Sequence, residues 1–312
     1  MHTGLTFWIG FHVAVLLLLA LDLFVLRRGA REVSMREAAV WSVVWVALSL
    51  GFCAFIHFAK GPAKAVEFLT GYVIEYSLSA DNLFLFVVIF GYFKVPRQHQ
   101  HRVLLWGILG ALAMRGAMIG LGVQLVERFH WILYAFGIFL LVTGVRMFAR
   151  GGEPAPGETA VIRACRKIPR VTPDFHGSRF IARTSLGWML TPLAVALVVI
   201  DVMDLLFAVD SIPAIFAVTT DPFIVYTSNV CAILGLRSLY FVLAGAAHRF
   251  EYLHYGLAAV LVFIGAKMLL ANVLPISSAL SLLIVALLLG ASIAYSAAVF
   301  KPPAADSGKS PP

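Results

Sequence analysis

Two apolar segments carry the same acidic pattern, Glu75-Tyr-Ser-Leu-Ser-Ala-Asp81-Asn82 in the first and Asp204-Leu-Leu-Phe-Ala-Val-Asp210-Ser211 in the second. Each copy places two carboxylates six residues apart in a stretch that is hydrophobic enough to cross a bilayer. A carboxylate at the centre of a membrane costs about 3 kcal/mol or more, so such residues usually serve a function. The duplicated pattern therefore predicts a membrane protein with a buried acidic site built from two repeats.

The composition of the whole chain agrees with a membrane protein. Of its 312 residues, 61% are hydrophobic and 13% are charged, whereas a soluble domain carries about 25% charged residues. Several apolar runs reach a length of about 20 residues, enough for a helix to cross the hydrocarbon core. Because alternating barrel strands are absent from the sequence, we predict an all-α polytopic protein that contacts the lipid bilayer. The sequence contains no basic soluble segment with stacking aromatic residues, so we expect no nucleic-acid partner.

We predict nine transmembrane helices, at 5–26, 39–58, 66–93, 103–123, 131–148, 186–218, 223–245, 252–271 and 278–298. Lys and Arg concentrate in the loops that follow the first, third, fifth and seventh of these spans, and in the tail. Basic loops of membrane proteins lie on the cytoplasmic side. We therefore expect a multi-pass membrane protein with its N-terminus outside and its C-terminus in the cytoplasm.

We divide the chain into six segments. They are an N-terminal two-helix segment, a first three-span repeat, a linker, a second three-span repeat, a last span and a tail, at 1–65, 66–148, 149–185, 186–271, 272–300 and 301–312. The basic linker is expected in the cytoplasm and is a candidate surface for a protein partner. The tail is rich in Pro, Ser and Ala and is expected to be disordered. The sequence leaves open whether the chain forms a homo-oligomer.

The internal repeat extends beyond the acidic pattern. Tyr134 and Tyr255 follow similar motifs, and from each the same step along the chain reaches a glycine, Gly144 or Gly265. A unit of three spans that is inserted twice in succession must enter the membrane from opposite sides. We therefore predict inverted repeats, the architecture of many secondary transporters, whose sites lie near the midplane where the repeats meet.

The spacing within each acidic pair predicts broken helices at the midplane. Six residues correspond to a rotation of about 240° in a regular helix, so the two carboxylates would face different sides. Pro213 would interrupt the second copy, because its ring clashes with the carbonyl of Val209 and it lacks an N–H. The first copy contains no Pro or Gly, so the sequence does not decide whether that span breaks.

The acidic residues outnumber the basic residues at membrane depth. Asp201 adds a fifth carboxylate on the same helix face as Asp204, whereas only Arg115 and Arg237 are central basic residues, interpreted as structural or as charge balance. Surplus negative charge requires a cation or protons, and an antiporter uses both. The predicted metal ligands are Glu75, Asp81, Asn82, Asp201, Asp204, Asp210 and Ser211, and Asn229 is a further candidate for the shell.

The type of ligand favours a hard cation. Carboxylate, amide, hydroxyl and carbonyl oxygens suit Mn²⁺, Ca²⁺ or Mg²⁺, whereas soft metals favour His, Cys or Met ligands. Cys53, Cys165 and Cys231 form no CxxC pair, and Cys231 is interpreted as a core residue. We expect no permanently bound cofactor and, because no nucleotide-binding or nucleophile–base motif is found, no enzymatic activity.

These residues resemble the TerC/Alx family, which is named for tellurite resistance. The resemblance rests on 75–84, 204–216, 223–229 and 233–241 and covers most of residues 1–300. It implies an integral membrane protein of the bacterial inner-membrane type; members are implicated in manganese efflux, and some in supplying metal to exported enzymes. The acidic residues of the family correspond to Glu75, Asp81, Asp204 and Asp210, with Asn82 and Ser211 beside them. Where the family more often has Glu, this chain has Asp201.

Three hypotheses for the function follow. The first is a Mn²⁺ exporter driven by proton influx, with Asp81 and Asp210 as central ligands and protons as the exchanged ion. The second is a non-transporting membrane factor that assembles or metalates exported proteins through the loop at 149–185. The third is transport of an oxyanion such as tellurite through Arg115 and Arg237, against which the excess of buried acid argues.

Overall fold

The computed structural model describes residues 4–26, 34–129, 131–150, 171–184, 187–246, 253–271, 273–274 and 276–299. The predicted disordered tail at 301–312 and the first part of the predicted linker, at 151–170, lie outside these ranges.

Ten helices and one short hairpin follow one another along the described chain. The elements are α1 Leu5–Leu26, α2 Met35–Lys60, α3 Pro62–Tyr92, α4 Arg97–Arg128, α5 Ile132–Arg150, β1 Ile181–Thr184, β2 Gly187–Leu190, α6 Pro192–Phe216, α7 Pro222–Leu234, α8 Leu236–Ala246, α9 Leu253–Leu269 and α10 Ser278–Val299. Each predicted span coincides with one of these helices, except that α7 and α8 share the seventh. The all-α polytopic class is confirmed, with the antiparallel hairpin β1–β2 as a small addition.

Six of the described helices are long and apolar enough to cross a membrane, namely α2, α3, α4, α5, α6 and α10. The pair α7 and α8 makes a seventh if it is one broken span. The described apolar parts of α1 and α9 are shorter. Large apolar side chains are exposed on the outer helices, for example Leu17 and Leu287, as expected of a surface that faces lipid. The count of nine crossing helices stays a prediction.

The predicted break in the sixth span is wrong, and the third span is also continuous. Helix α3 runs unbroken through the first acidic copy, and α6 runs through Pro213 and ends three residues later, at Phe216. The hydrogen bond that Pro213 removes therefore belongs to the end of the helix, where its loss does not interrupt the span. The bend lies in the seventh span instead, where α7 and α8 meet at an angle of 41° around Gly235.

Capping residues explain several helix boundaries. Gly61 alone joins α2 to α3, with a φ of +93° that favours glycine and an N–H that bonds to the carbonyl of His57 at 3.0 Å. Pro62 then takes the first position of α3. The sixth span was predicted to start at 186, but α6 begins at Pro192, after Thr191, because residues 187–190 pair as strand β2.

Helices α5 and α9 approach so closely that their contacts involve backbone atoms. A Cβ added to Gly144 would lie 2.8 Å from the carbonyl oxygen of Ala258 and 2.9 Å from the backbone nitrogen of Val262. A Cβ added to Gly265 would lie 2.7 Å from the carbonyl oxygen of Gly137 and 2.8 Å from the backbone nitrogen of Leu141. Glycine at both positions is therefore what permits the close packing.

These contacts are reciprocal. Counted along the chain from Tyr134 and from Tyr255, the two glycines hold the same position, and each contacts the same two earlier positions of the other helix. Such reciprocity is the property of a two-fold relation. These contacts require α5 and α9 to run antiparallel. In a parallel pair, if a glycine of one helix contacts earlier positions of its neighbour, the equivalent glycine of the neighbour contacts later positions, whereas here both glycines contact earlier positions.

We expect Gly265→Ala to destabilise the protein by about 1–3 kcal/mol, because the added methyl group overpacks a contact with backbone. Gly120→Ala in α4 is the matched control, since nothing lies within 4 Å of the Cβ position there. Reversible unfolding of the purified proteins in mixed micelles measures the difference. Equal free energies of unfolding for the two variants would show that α5 and α9 do not pack as described.

Candidate functional site

A buried arginine lies where α3, α4 and α6 meet. Arg115 of α4 is 2% exposed, and its Nη2 and Nε donate to Oδ1 and Oδ2 of Asp204 at 2.8 and 3.1 Å. This forked geometry is the strong form of an arginine–carboxylate pair. Nη1 donates to Oε1 of Glu75 and reaches Oγ of Ser211 at 3.4 Å. One guanidinium thus joins the first carboxylates of both acidic copies.

Glu75 has one oxygen in use and one without a partner. The side chain is fully buried, and its Oε1 also accepts a hydrogen bond from Oγ of Ser79 at 2.9 Å. Oε2 has no hydrogen-bond partner among the described residues. Leaving a buried charged oxygen unsatisfied is costly, so each such atom in a native structure calls for an explanation. A bound ligand would supply one.

Asp204 also lies near a second buried arginine. Besides its pair with Arg115, it lines a cavity of about 20 Å³ together with Arg237 of α8, a space that suits about one water molecule. Arg237 is buried and comes two residues after Gly235, where the seventh span bends. The bend therefore lies next to this central cavity.

Asn229 is a second buried polar group without a described partner. It is fully buried in α7, and neither its Nδ2 nor its Oδ1 is hydrogen-bonded within the described part of the chain. One turn later on the same helix face, Ile233 lines the cavity beside Asp204. On the preceding turn, the ring of Tyr226 lies against Gly116 of α4. These two contacts place Asn229 within about one helical turn of the level of Arg115.

Asp201 packs into a space that two glycines of α4 leave open. A Cβ added to Gly110 would lie 3.0 Å from each carboxylate oxygen of Asp201, and a Cβ at Gly107 would lie 3.6 Å from Oδ1. That Oδ1 has no hydrogen-bond partner among the residues described. The Asp201 carboxylate thus sits directly against the backbone of α4.

Two other predicted ligands, Asn82 and Asp210, make no described hydrogen bond with the guanidinium of Arg115. Asp210 is half-buried and makes no hydrogen bond or ion pair with a described side chain. The side chain of Asp81 is outside the described set, and Asn82 beside it is half-buried. Because α6 is continuous, the rotation of about 240° between Asp204 and Asp210 sends their side chains in different directions.

Within the described side chains, no group of three or more His, Cys, Asp or Glu residues is arranged to hold a metal. Glu75 and Asp204, which come from the two copies of the acidic pattern, are instead bridged by Arg115. The predicted metal ligands therefore stay a prediction, and the arrangement shows a carboxylate pair that already carries an internal cation.

The sequence-based prediction missed two supporting features. Ser79 stands four residues after Glu75, the spacing at which helical side chains meet, and this spacing was a usable signal for its hydrogen bond. Gly107 and Gly110 stand three residues apart on one face of α4, a spacing that indicates a close neighbour. Nothing in the sequence indicated that this neighbour would be Asp201.

Comparisons with known proteins agree with a membrane protein of one particular family. The family model described as "Integral membrane protein TerC family" matches residues 60–302. The chain is 51% identical over 290 residues to "Uncharacterized membrane protein STKORF319" of Myxococcus xanthus, covering 93% of this chain and 91% of the relative. It is 49% identical over 285 residues to "Putative membrane-bound redox modulator Alx" of Escherichia coli K12, covering 88% and 89%. No solved structure gives a significant match.

Proposed function

We propose that this chain, which belongs to the TerC family of integral membrane proteins, exports a divalent metal cation across the inner membrane in exchange for protons. One observation carries the proposal. The two copies of the acidic pattern each deliver a buried carboxylate, Glu75 or Asp204, to the same interior point of a multi-pass protein. Ionisable residues inside a membrane protein mark ion and proton pathways.

Mn²⁺ is the cargo that we propose. The polar groups that contact Arg115 are carboxylate and hydroxyl oxygens, from Glu75, Asp204 and Ser211, and the buried amide of Asn229 lies at about the same level of the bundle. Such oxygen donors suit Mn²⁺, Mg²⁺ and Ca²⁺. The family resemblance favours Mn²⁺ among the three. The cation is cargo and not a resident cofactor, so the chain is proposed as a transporter and not as an enzyme.

Arg115 acts in this proposal as a tethered cation that the cargo must displace. While the site holds no cargo, the guanidinium compensates the charge of Glu75 and Asp204. An entering Mn²⁺ first meets the oxygens that have no described partner, Oε2 of Glu75 and Oδ1 of Asn229. It then competes with Arg115 for the remaining carboxylate oxygens. Because the guanidinium of Arg115 or the bound Mn²⁺ compensates Glu75 and Asp204 at each stage, the two carboxylates are never left without a positive partner.

The second carboxylates of the two copies complete the proposed path. Asp81 and Asp210 remain the proposed central ligands for the cargo once it moves past the guanidinium. Asp201, whose Oδ1 has no described partner, is proposed to carry an exchanged proton. Proton uptake at these carboxylates would release the cation on the far side and couple export to proton influx.

We further propose that α3–α5 and α6–α9 are inverted repeats that rock against each other. The reciprocal antiparallel packing of α5 and α9 supports this relation. A second pair of contacts also supports it, Gly71 with Ser228 and Gly107 with Ile200. When the acidic pairs of the two repeats are aligned, Gly71 matches Ile200. When the two arginines are aligned, Gly107 falls within one residue of Ser228, so the two contacts are equivalent. The orientation with a cytoplasmic C-terminus rests on the charge distribution.

Transport of an oxyanion such as tellurite is less well supported. A positively charged oxyanion site would need arginine donors that are available to the cargo, but Arg115 donates to two carboxylates. Redox modulation is named for the relative of E. coli; in this chain Cys53 and Cys231 are free thiols, and the interior chemistry is that of carboxylates. The non-transporting assembly factor is the alternative that a flux measurement tests.

Purified protein in liposomes is expected to take up Mn²⁺ faster when the vesicle interior is acidic than when the two sides have equal pH, because the outward proton gradient then adds to the driving force of the exchange. Glu75→Gln should reduce this flux to the level of empty vesicles, because it removes a carboxylate from the centre of the site. Glu67→Gln on the same helix is the matched control. Glu67 pairs with Lys64 and accepts from Thr219 near the start of α3, two turns from the site. An entrapped Mn²⁺-sensitive dye measures the flux.

The possible results separate the hypotheses. No flux from correctly folded protein would contradict transport and favour the assembly factor. Mn²⁺ flux whose rate does not change with the pH gradient would keep the transporter and remove the proton coupling. Equal flux from Glu75→Gln and Glu67→Gln would remove Glu75 from the site.

A further inference from the structure

The hairpin β1–β2 has two unlike faces. Its register pairs Ile181 with Leu190 and Arg183 with Trp188, and directly opposed residues of antiparallel strands project from the same face. On this outer face Ile181 and Trp188 are 52% and 68% exposed, and Arg183 is exposed. On the other face Ala182 is buried. The outer face therefore combines two large apolar side chains with a cation.

The base of the hairpin is fixed to the start of α6. Thr191, the N-cap of α6, follows β2 directly and is fully buried. Its N–H donates to the carbonyl of Phe180 at 2.9 Å, and its Oγ1 donates to the carbonyl of Arg179 at 2.7 Å. These bonds tie the residues before β1 to the first turn of the helix that carries Asp201, Asp204 and Asp210.

Helix α4 holds the same segment from the other side. Arg102 donates from Nη1 to Oγ of Ser178 at 2.7 Å, and its guanidinium lies 5.4 Å from the centre of the Phe180 ring. Trp106, one turn further along α4, packs edge to face against Phe180 with a centroid distance of 6.4 Å. The hairpin is therefore docked between two helices that are long enough to cross the membrane.

Trp106 indicates the depth of the hairpin in the membrane. It lies within one turn of the start of the apolar part of α4, at Val103, and is half exposed on the outside of the bundle. Tryptophan at the end of an apolar span belongs to the interfacial belt of membrane proteins. Because Phe180 contacts Trp106, the hairpin is held at the level where headgroups meet acyl chains.

The charge of the hairpin matches an anionic surface. Arg179 and Arg183 are both exposed, and the described residues between 171 and 190 include one acidic residue, Asp174. The distribution of Lys and Arg assigns this side to the cytoplasm, and the cytoplasmic leaflet is the one that carries anionic lipid and attracts basic residues next to a membrane.

We propose that the outer face of this hairpin docks into the adjacent leaflet and binds anionic phospholipid. Trp188 and Ile181 enter among the upper acyl-chain segments, and Arg183 and Arg179 pair with lipid phosphates. Since the hairpin is bonded to the first turn of α6, a docked hairpin fixes the inner end of that helix. This inference does not depend on the proposed transport function.

An environment-sensitive probe tests the docking in the full-length protein. In a variant whose three cysteines are replaced by serine, Ile181→Cys is labelled with a nitrobenzoxadiazole dye and reconstituted in phosphatidylcholine vesicles with or without phosphatidylglycerol. We expect blue-shifted emission that nitroxide near the lipid headgroup quenches more than nitroxide near the chain end. Adding Arg183→Gln should lower the ratio of docked to undocked hairpin roughly fivefold in anionic vesicles, the effect of about one basic residue at such a surface.

Two controls belong to the opposite end of α4. Arg128→Gln removes an exposed arginine there and should leave the probe at residue 181 unchanged. The same dye at Trp131→Cys, a position that is also largely exposed, should not respond to Arg183→Gln. Emission typical of water at residue 181 in both lipids would overturn the proposal. So would a dry but unquenched probe, which would mean that protein covers this face. Equal docking in the two lipids would overturn the assignment to anionic lipid.

Discussion

Replacing Arg115 by Gln is expected to destabilise this protein by about 3–5 kcal/mol, the typical result of removing one partner of a buried ion pair. The substitution leaves Glu75 and Asp204, which are 0% and 7% exposed, without the guanidinium that compensates both of them. Reversible unfolding of purified protein measures the loss. Arg128→Gln is the matched control, because Arg128 lies exposed at the end of the same helix.

Neutralising the whole cluster should restore most of the stability. The triple variant Glu75→Gln, Arg115→Gln, Asp204→Asn replaces the two carboxylates by isosteric amides and the arginine by a shorter amide, and all three amides can donate and accept hydrogen bonds. We expect the triple variant to have a higher free energy of unfolding than Arg115→Gln and to transport no Mn²⁺. Wild-type stability in Arg115→Gln alone would contradict the compensating role of the guanidinium.

Metal binding distinguishes a tethered cation from a purely structural arginine. If Mn²⁺ replaces the guanidinium, Arg115→Gln should bind Mn²⁺ more tightly than the wild type and gain more stability from the same concentration, because a ligand of the folded state stabilises it by mass action. Equal stabilisation of both proteins by Mn²⁺ would assign Arg115 to structure alone.

Asp210→Asn is expected to abolish Mn²⁺ flux while it leaves the free energy of unfolding within about 0.5 kcal/mol of the wild type. Asp210 is half-buried and makes no hydrogen bond or ion pair with a described side chain, so the isosteric amide breaks no described contact. The lost flux would follow from the missing charge. An amide neither takes up and releases a proton in the pH range of the assay nor compensates the charge of a divalent cation. Flux in liposomes and unfolding in micelles are measured on the same preparation.

Asp204→Asn provides the contrast, because it breaks the forked pair with Arg115 and should lower both flux and stability. Asp174→Asn, in the exposed segment before the hairpin, should change neither. Retained flux in Asp210→Asn would remove Asp210 from the transport path. A large loss of stability in this variant would show that it has a structural partner.

The positions of the helices could be read from the chain because hydrophobicity and caps are local properties. The span predicted at 5–26 coincides with α1, and most other predicted ends lie within about four residues of those observed. Helix α4 is longer than its predicted span by six residues at its start and five at its end, because its first and last turns are polar. The start of α6 is the second exception, and it shows the limit of the signal. Residues 187–190 extend the hydrophobic run, but they pair with β1 instead of joining the helix. Pairing with another strand depends on that strand and cannot be recognised from residues 187–190 alone.

Proline and glycine were less informative about breaks than their local chemistry suggests. Pro213 removes a backbone hydrogen bond wherever it stands, but α6 ends three residues later, so the removed bond has no consequence for the rest of the helix. Gly235 carries no such signal, yet the seventh span bends there. Whether a helix bends depends on what packs against it, and this is decided outside the helix.

The sequence by itself determined that carboxylates occur at membrane depth in two equivalent places, because the residues and their apolar neighbours are contiguous in the chain. Only the tertiary structure decided which of these carboxylates meet. Glu75 and Asp204 share Arg115, whereas Asp210 points elsewhere, because the rotation of each continuous helix and the close glycine contacts of α4 with α6 set the direction of every side chain. Those contacts join residues far apart in the chain, so no local pattern could have specified them.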